Sequence, residues 1–261
     1  MPELPEVETF KTYFDATSLH QKISKIETDD PVVLSAPADE IKKAAVGQSF
    51  EKTERIGKYL FAHLSSGKVL VFHFGMTGHL RYFKDKEDTP KYTQILFSFQ
   101  EGFHLSFIIK RKFARLGLAD TIEEYRRKKK LGTDATELTP SELGEAFSGR
   151  KVAVKTVLMD QSVAAGVGNW IADDVLFQIG MHPEKPANEL TKDEVEKVYN
   201  KLQDILKLAI EKDAHYSEFP DYYLVNHRSK KAKCPHCGKP LQNIKVGGRS
   251  TYFCPARQKP D

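Results

Sequence analysis

Leu158-Met159-Asp160-Gln161-Ser162-Val163-Ala164-Ala165-Gly166-Val167-Gly168-Asn169-Trp170-Ile171-Ala172-Asp173-Asp174-Val175-Leu176-Phe177 reads as a helix end, a glycine-rich turn and a new amphipathic helix with Asn169 near its start. Exposed backbone N–H groups at such a turn bind phosphate. The plainer alternative is a helix–turn–helix joint whose glycines only permit tight packing. The surroundings of this stretch are helical: residues 152–160, 168–180 and 191–212 carry helical spacing, and Thr139-Pro140-Ser141-Glu142 is a helix start, with Thr139 as cap and Pro140 at the first position. Upstream the texture changes. After a short helix within residues 9–27 and a strand around Ile23–Ile26, residues 30–120 hold short apolar or alternating runs at 69–74, 94–99 and 104–109. Strands at that spacing predict a two-layer β-sandwich. The fold class is therefore α+β, with the change of texture near 131–138, where basic and polar residues suggest a hinge.

The chain has 261 residues, 40% hydrophobic and 29% charged, which describes a globular protein of one large or two small domains. No apolar run approaches membrane-spanning length. The net charge of +4 is a mild bias, but the cations cluster at Lys110–Arg115, Arg126–Lys130 and Arg228–Lys233. Such clusters neutralise phosphates or form solvated faces. The three cysteines all follow residue 233, fit no disulfide framework and suggest an intracellular, reducing compartment: cytoplasm and nucleoid, or the nucleus of a eukaryote.

The start, Met1-Pro2-Glu3-Leu4-Pro5-Glu6-Val7-Glu8, has neither the basic region nor the apolar core of a signal peptide. Removal of Met1 leaves Pro2 with a secondary amine that titrates near ~8. Unprotonated, that amine attacks carbonyl-like carbon and forms an iminium. Glu3, its neighbour, is placed to move protons. The alternative is a stiff, decorated terminus. Arg55-Ile56-Gly57-Lys58-Tyr59-Leu60 offers a cation that would lower the amine's pKa. Phe74-Gly75-Met76-Thr77-Gly78 puts a methionine at a glycine-flanked tip, a poor place to bury it.

These segments, in this order, resemble the formamidopyrimidine-DNA glycosylase / endonuclease VIII family, on the formamidopyrimidine branch. The endonuclease VIII branch usually starts Pro-Glu-Gly-Pro, where this chain has Pro2-Glu3-Leu4-Pro5. The resemblance implies an N-terminal catalytic β-sandwich domain (1–130), a hinge (131–138), a helix-two-turn-helix domain (139–228) and a zinc-finger-like hairpin (229–261). It implies that Pro2 is the nucleophile, that Glu3 assists proton transfer, that Lys58 contacts the lesion nucleotide and that Glu6 shapes the pocket. Met76, Arg111 and Phe113 would fill the gap left by an extruded base, a process costing a few kcal/mol of unstacking. Gly168, Asn169, Lys155 and Arg249 would contact DNA. Asp174 stands where the family usually has glutamate, one methylene longer, and is assigned to the lesion pocket. The loop Ile109-Lys110-Arg111-Lys112-Phe113-Ala114 lacks the usual Asp-Pro and final glycine, and residues 212–228 lack a long lesion-capping loop. Both departures look like plant and fungal members.

The tail carries Cys234-Pro235-His236-Cys237 and then Cys254-Pro255-Ala256-Arg257. Two CxxC pairs close a zinc tetrahedron, but Arg257 occupies the fourth position and cannot ligate. His227 is a further donor to consider. Zinc occupancy stays open between a bound metal and a hairpin held by packing. The implied activity is a bifunctional glycosylase and abasic-site lyase on double-stranded DNA with oxidised purines or abasic sites, working as a monomer and needing no cofactor for its chemistry. The alternatives are a non-catalytic damage-binding protein and an endonuclease VIII-like enzyme for oxidised pyrimidines.

Overall fold

The computed structural model describes residues 1–28 and 30–260. They divide into two units, Met1–Pro2 with Glu6–Lys130, and Glu3–Pro5 with Leu131–Asp261.

Helix α1 (Leu4–Ser18), which belongs to the first unit from Glu6 onward, precedes β1 (Ile23–Thr28) and α2 (Ala38–Ala45). Seven strands follow: β2 (Phe50–Ile56), β3 (Tyr59–Leu64), β4 (Val69–His73), β5 (His79–Phe83), β6 (Thr93–Phe99), β7 (His104–Ile108) and β8 (Arg115–Ala119). Helix α3 (Ile122–Lys129) closes the unit. The strands form two antiparallel four-stranded sheets, ordered β1-β6-β7-β5 and β2-β3-β4-β8. Each sheet gives one face to a shared core: Phe50, Leu60 and Phe72 come from the second sheet, Phe97, Leu105 and Phe107 from the first. Removing one of these rings, as in Phe72→Ala, costs about 3–5 kcal/mol. The expected sandwich is what these strands build.

Helix α1 begins at Leu4, five residues before the helix expected from the sequence. Pro5 lies in its first turn, where the N–H it lacks has no intrahelical acceptor, so the ring is tolerated. Val7 and Phe14 project from it into the core.

The second unit contains β9 (Thr133–Asp134), α4 (Pro140–Ser148), α5 (Val154–Leu158), β10 (Ala164–Ala165), α6 (Asn169–Ile179) and α7 (Lys192–Glu211). The hairpin β11 (Gln242–Val246) and β12 (Arg249–Phe253) follows. Thr139 and Thr191 each form a full capping box, with Glu142 and Glu194. Along α7 the buried Val198, Leu202, Ile205, Leu206 and Ala209 make one apolar stripe. That stripe joins Leu143, Val157, Ile171 and Val175 in a core of its own. Residues 131–138, anticipated as a hinge, are docked here. Strand β9 pairs in parallel with β10, and the Gly132 N–H donates to the Gln161 carbonyl at 2.9 Å.

Candidate active site

In the first unit three loops leave one end of the β2-β3-β4-β8 sheet. Tyr59, His73 and Arg115 are cross-strand neighbours in register. Just beyond them lie the Gly57-Lys58 turn, the 74–78 turn and the 109–114 loop. Gly57 takes φ +57°, which only glycine adopts at little cost in this two-residue turn. The turn is held from behind by Arg55, a residue the sequence did not single out. Its guanidinium donates to Glu8 of α1 at 2.5 Å and to the Gly57 carbonyl at 3.3 Å. Lys58 is partly buried.

His73 is the second group sequence reasoning missed. Burial first, and then the Lys58, Lys129 and Arg115 cations, pull its imidazole down to about 4. It is therefore neutral at pH 7 and adds a hydrogen-bonding ring, without further positive charge, next to Lys58. The signal was present in the sequence as a polar end to the apolar run Val69–Phe72.

Met76 is 37% exposed and Phe113 is 54% exposed, unusual for such side chains away from a partner. A Cβ at Gly75 would lie 2.5 Å from the Phe113 and Ala114 backbone, so the two loops touch main chain to main chain. Arg111 is exposed and stacks its guanidinium over Phe113 at 5.5 Å. The loop is braced by Arg115, which donates to the Lys112 and Ala114 carbonyls at 2.6 and 2.8 Å, and by a Lys112–Asp30 ion pair at 2.5 Å. Pro2 and Glu6 are partly exposed, Glu6 on the first turn of α1.

In the second unit Glu3 is 2% exposed. Its carboxylate accepts the Trp170 N–H at 3.0 Å and the Ile171 N–H at 3.3 Å, the unpaired donors at the start of α6. Gly168 makes this possible: a Cβ there would sit 2.1 Å from the Glu3 carboxyl carbon. Glycine is required at this position for close approach, whatever its dihedral angles. The turn before it is tied by the Gln161 amide, which donates to the Met159 and Val167 carbonyls at 2.8 Å and accepts from the Gly166 N–H at 3.1 Å.

Asn169, the first residue of α6, is partly exposed. Its carbonyl oxygen accepts from Lys155 at 2.7 Å and its amide donates to the Ser250 carbonyl of β12 at 2.9 Å. Lys155, expected among the residues that contact DNA, is instead fully buried. Its ammonium meets Asp173 at 2.6 Å and donates to Thr251 Oγ1 at 2.5 Å, so it orients Asn169 and the hairpin from beneath. Desolvation would penalise it heavily without these partners. Arg228 completes the network, 3.1 Å from Asp173 and 3.0 Å from the Asn169 carbonyl.

Asp174, assigned to the lesion pocket, is also fully buried. It accepts the N–H groups of Leu224 at 3.1 Å and Val225 at 2.7 Å, and the Gln178 amide at 3.1 Å. Burial pushes its carboxyl up to about 6, with those donors opposing. Both oxygens are used in fixing the short helical turn 224–227, so within this unit it anchors main chain.

The hairpin turns at Gly247-Gly248, with φ of +55° and +74°. A Cβ at Gly247 would stand 2.8 Å from Thr156 Oγ1, so the tip rests on α5. Arg249, the first residue after the tip, is exposed. The thiols of Cys234, Cys237 and Cys254 lie within 4.8 Å of one another, and no histidine or carboxylate joins them among the described residues. His227 is engaged elsewhere, its Nε2 lying 2.7 Å from the Asp221 carbonyl. Three thiolates fit a thiophilic cation; they do not make a closed four-cysteine site, because Arg257 supplies no fourth donor.

Comparison with known proteins covers the same segments. Residues 1–116 match the model of the formamidopyrimidine-DNA glycosylase N-terminal domain and residues 131–221 its H2TH domain. Residues 232–256 match the zinc finger found in FPG and IleRS. A formamidopyrimidine-DNA glycosylase of Desulfitobacterium hafniense is 35% identical over 275 residues, covering 99% of this chain and 100% of the relative. One from Arabidopsis thaliana is 33% identical over 277 residues, covering 99% and 71%. Among solved structures, the Lactococcus lactis enzyme bound non-covalently to abasic-site DNA aligns with a TM-score of 0.90 and 28% identity, covering 99% of this chain and 100% of that one. MutM in complex with carbocyclic 8-oxo-G DNA aligns with a TM-score of 0.91 and 29% identity, at the same coverage.

Proposed function

This chain belongs to the formamidopyrimidine-DNA glycosylase family of base-excision repair, and from that premise we propose that it excises oxidised purines through the Pro2 amine and then cuts the strand by β- and δ-elimination. The observation that carries the reading is Glu3. Its carboxylate is gripped by two amides at the start of α6 directly beside the nucleophile in sequence, and Gly168 is bare to admit it. A surface decoration would not be held this way.

In the proposed sequence the unprotonated Pro2 nitrogen forms a bond to C1′ as the glycosidic bond breaks. Glu3 assists the proton transfers that let the base depart and the sugar ring open. The resulting iminium acidifies the C2′ hydrogens. Loss of the 3′ phosphate and then the 5′ phosphate follows, and hydrolysis returns the amine. Lys58 holds the lesion nucleotide, Glu6 shapes the space around it, and Met76, Arg111 and Phe113 occupy the stack. Asn169, the Gly168 turn and Arg249 take phosphate, with Lys155 positioning Asn169 from below. A zinc-class cation, where bound, would cross-link the hairpin through Cys234, Cys237 and Cys254; it enters no step.

The short 212–228 segment favours bulky oxidised hydantoins and ring-opened formamidopyrimidines over 8-oxoguanine. Its chain is fixed by Asp174 and by the buried Phe219, Tyr223 and Leu224, and it offers no long glycine-rich cap. A panel of duplexes tests both parts. Wild type should process guanidinohydantoin and formamidopyrimidine faster than 8-oxoguanine. Glu3→Gln should lose base excision yet still cut a preformed abasic site, where no base has to leave. Equal turnover of 8-oxoguanine and guanidinohydantoin would contradict the rank, and full base excision by the variant would contradict the role of Glu3. A role on DNA and three cysteines that fit no disulfide framework support an intracellular, reducing compartment.

A further inference from the structure

The cation cluster Arg126–Lys130, prominent in the sequence, has no part in the chemistry described above. Its place in the first unit follows from strand register. Strand β8 starts with Arg115 beside His73 and ends with Ala119 beside Val69, at the far end of the sheet. Helix α3 then doubles back over the face of that sheet turned from the sandwich core. Ile122 joins Phe61, Val69 and Val71 in an apolar cluster there. One turn later the Tyr125 ring meets Phe61 at 5.6 Å and Tyr59 at 5.5 Å. Lys129, a further turn on, lies over the Tyr125 ring at 5.7 Å. Tyr59 directly follows Lys58, and its ring centre is 4.8 Å from that of His73. The helix thus returns its cations to the sheet end that carries the Lys58 turn and the 74–78 and 109–114 loops. The Lys129 charge is felt there, since it helps to hold the His73 imidazole neutral.

The plain account of cations in a last turn is that they complement the helix dipole. Two features go beyond it. Arg127, Lys128, Lys129 and Lys130 are exposed, and none meets a carboxylate among the described residues. Glu123 and Glu124 stand four residues before Arg127 and Lys128, a spacing at which ion pairs form readily, yet they leave both cations unpaired. Lys130, moreover, closes the helix at φ +53°, the left-handed position that glycine fills at least cost. A lysine there weakens the cap and adds one more uncompensated charge. Four such charges in succession repel one another until a polyanion covers them.

We propose that the C-terminal end of α3 is a further DNA-backbone contact, in which Arg127, Lys128, Lys129 and Lys130 neutralise phosphates flanking the lesion nucleotide. The proposal rests on the glycosylase reading for its ligand, double-stranded DNA. It adds a contact that positions the duplex without reading its sequence. These side chains touch no reacting atom, so they set affinity and leave the rate of the chemical step alone.

The test measures binding of the full-length protein, across a range of salt concentrations, to a duplex holding a tetrahydrofuran abasic analogue. That analogue has neither a base to excise nor an aldehyde to trap. Each phosphate contact contributes about 0.9 to the slope of log affinity against log salt. Replacing all four cations by glutamine should lower that slope by about 2 or more, and affinity at least roughly tenfold near 100 mM salt. An undamaged duplex should lose the same factor, and single-turnover base excision at saturating DNA should not change. The control is Lys42→Gln with Lys43→Gln in the last turn of α2. That helix ends by the far turn of the sheet, where Ser66 Oγ donates to the Ala44 carbonyl at 3.4 Å, and its variant should keep the wild-type slope. Lys130→Gly separates charge from folding: it should raise the denaturation midpoint while lowering the slope by about 1. Misfolding cannot produce that pair of results. A glutamine variant of α3 with the wild-type slope, or an equal loss in the α2 control, would overturn the proposal and leave the Pro2 chemistry standing. Failure of the wild type to bind either duplex would instead remove the glycosylase reading, and this contact with it.

Discussion

At the scale of single residues, the contact between Glu3 and Gly168 has the least tolerance. An alanine methyl at 168 would overlap the carboxylate outright, and the carboxylate would have to leave the two amides that fix it. Displacing a proton-transfer group by an ångström can cost about 100-fold in rate. Gly168→Ala should therefore lower single-turnover base excision by about that factor; an unchanged rate would mean Glu3 acts from elsewhere. The sequence made both residues visible because each sits in a short local pattern. Lys155 was different. The resemblance placed it among the residues that contact DNA, whereas its partners Asn169, Asp173 and Thr251 lie up to 96 positions away and bury it. No local reading shows that a lysine is buried when the carboxylate that pays for its burial arrives from another helix.

Asp174 brings together two elements, α6 and the turn 224–227. Its folded-state pKa is raised from 3.8 to about 6, so the folded chain holds this proton more tightly than the unfolded chain. That contribution is present at low pH and is lost as pH rises from about 4 to about 6, a change of about 3 kcal/mol for this group. Asp174→Asn cannot titrate. Measured by chemical denaturation, the stability of wild type relative to the variant should fall by about that amount between pH 4 and pH 7. Parallel pH profiles would show that the carboxyl is not held as described. Elements whose determinants are local were legible: the capped start at Thr139, the helical spacing of 191–212 and the apolar runs of β4, β6 and β7 are written in adjacent residues. The early start of α1 was not, because Pro5 signals a break unless the first-turn position is known. The docking of 131–138 was hidden for a related reason, since its partner β10 lies 31 residues on.

For the whole molecule, two cores built from different residues support two sets of candidate site residues. One set rides on loops at a sheet end, the other on the start of α6 and the hairpin. The order of those groups along the chain was legible as a family resemblance, and the comparisons bear out that family. The central claim remains the chemistry of one amine. The most direct test is borohydride trapping on a duplex containing guanidinohydantoin, comparing wild type with Pro2→Gly once intact mass has established that Met1 is gone. A covalent protein–DNA band from wild type, lost or much weakened in the variant, is the predicted result. No band from Met1-free wild type, together with tight binding to the same duplex, would contradict it and leave a damage-binding protein without catalysis.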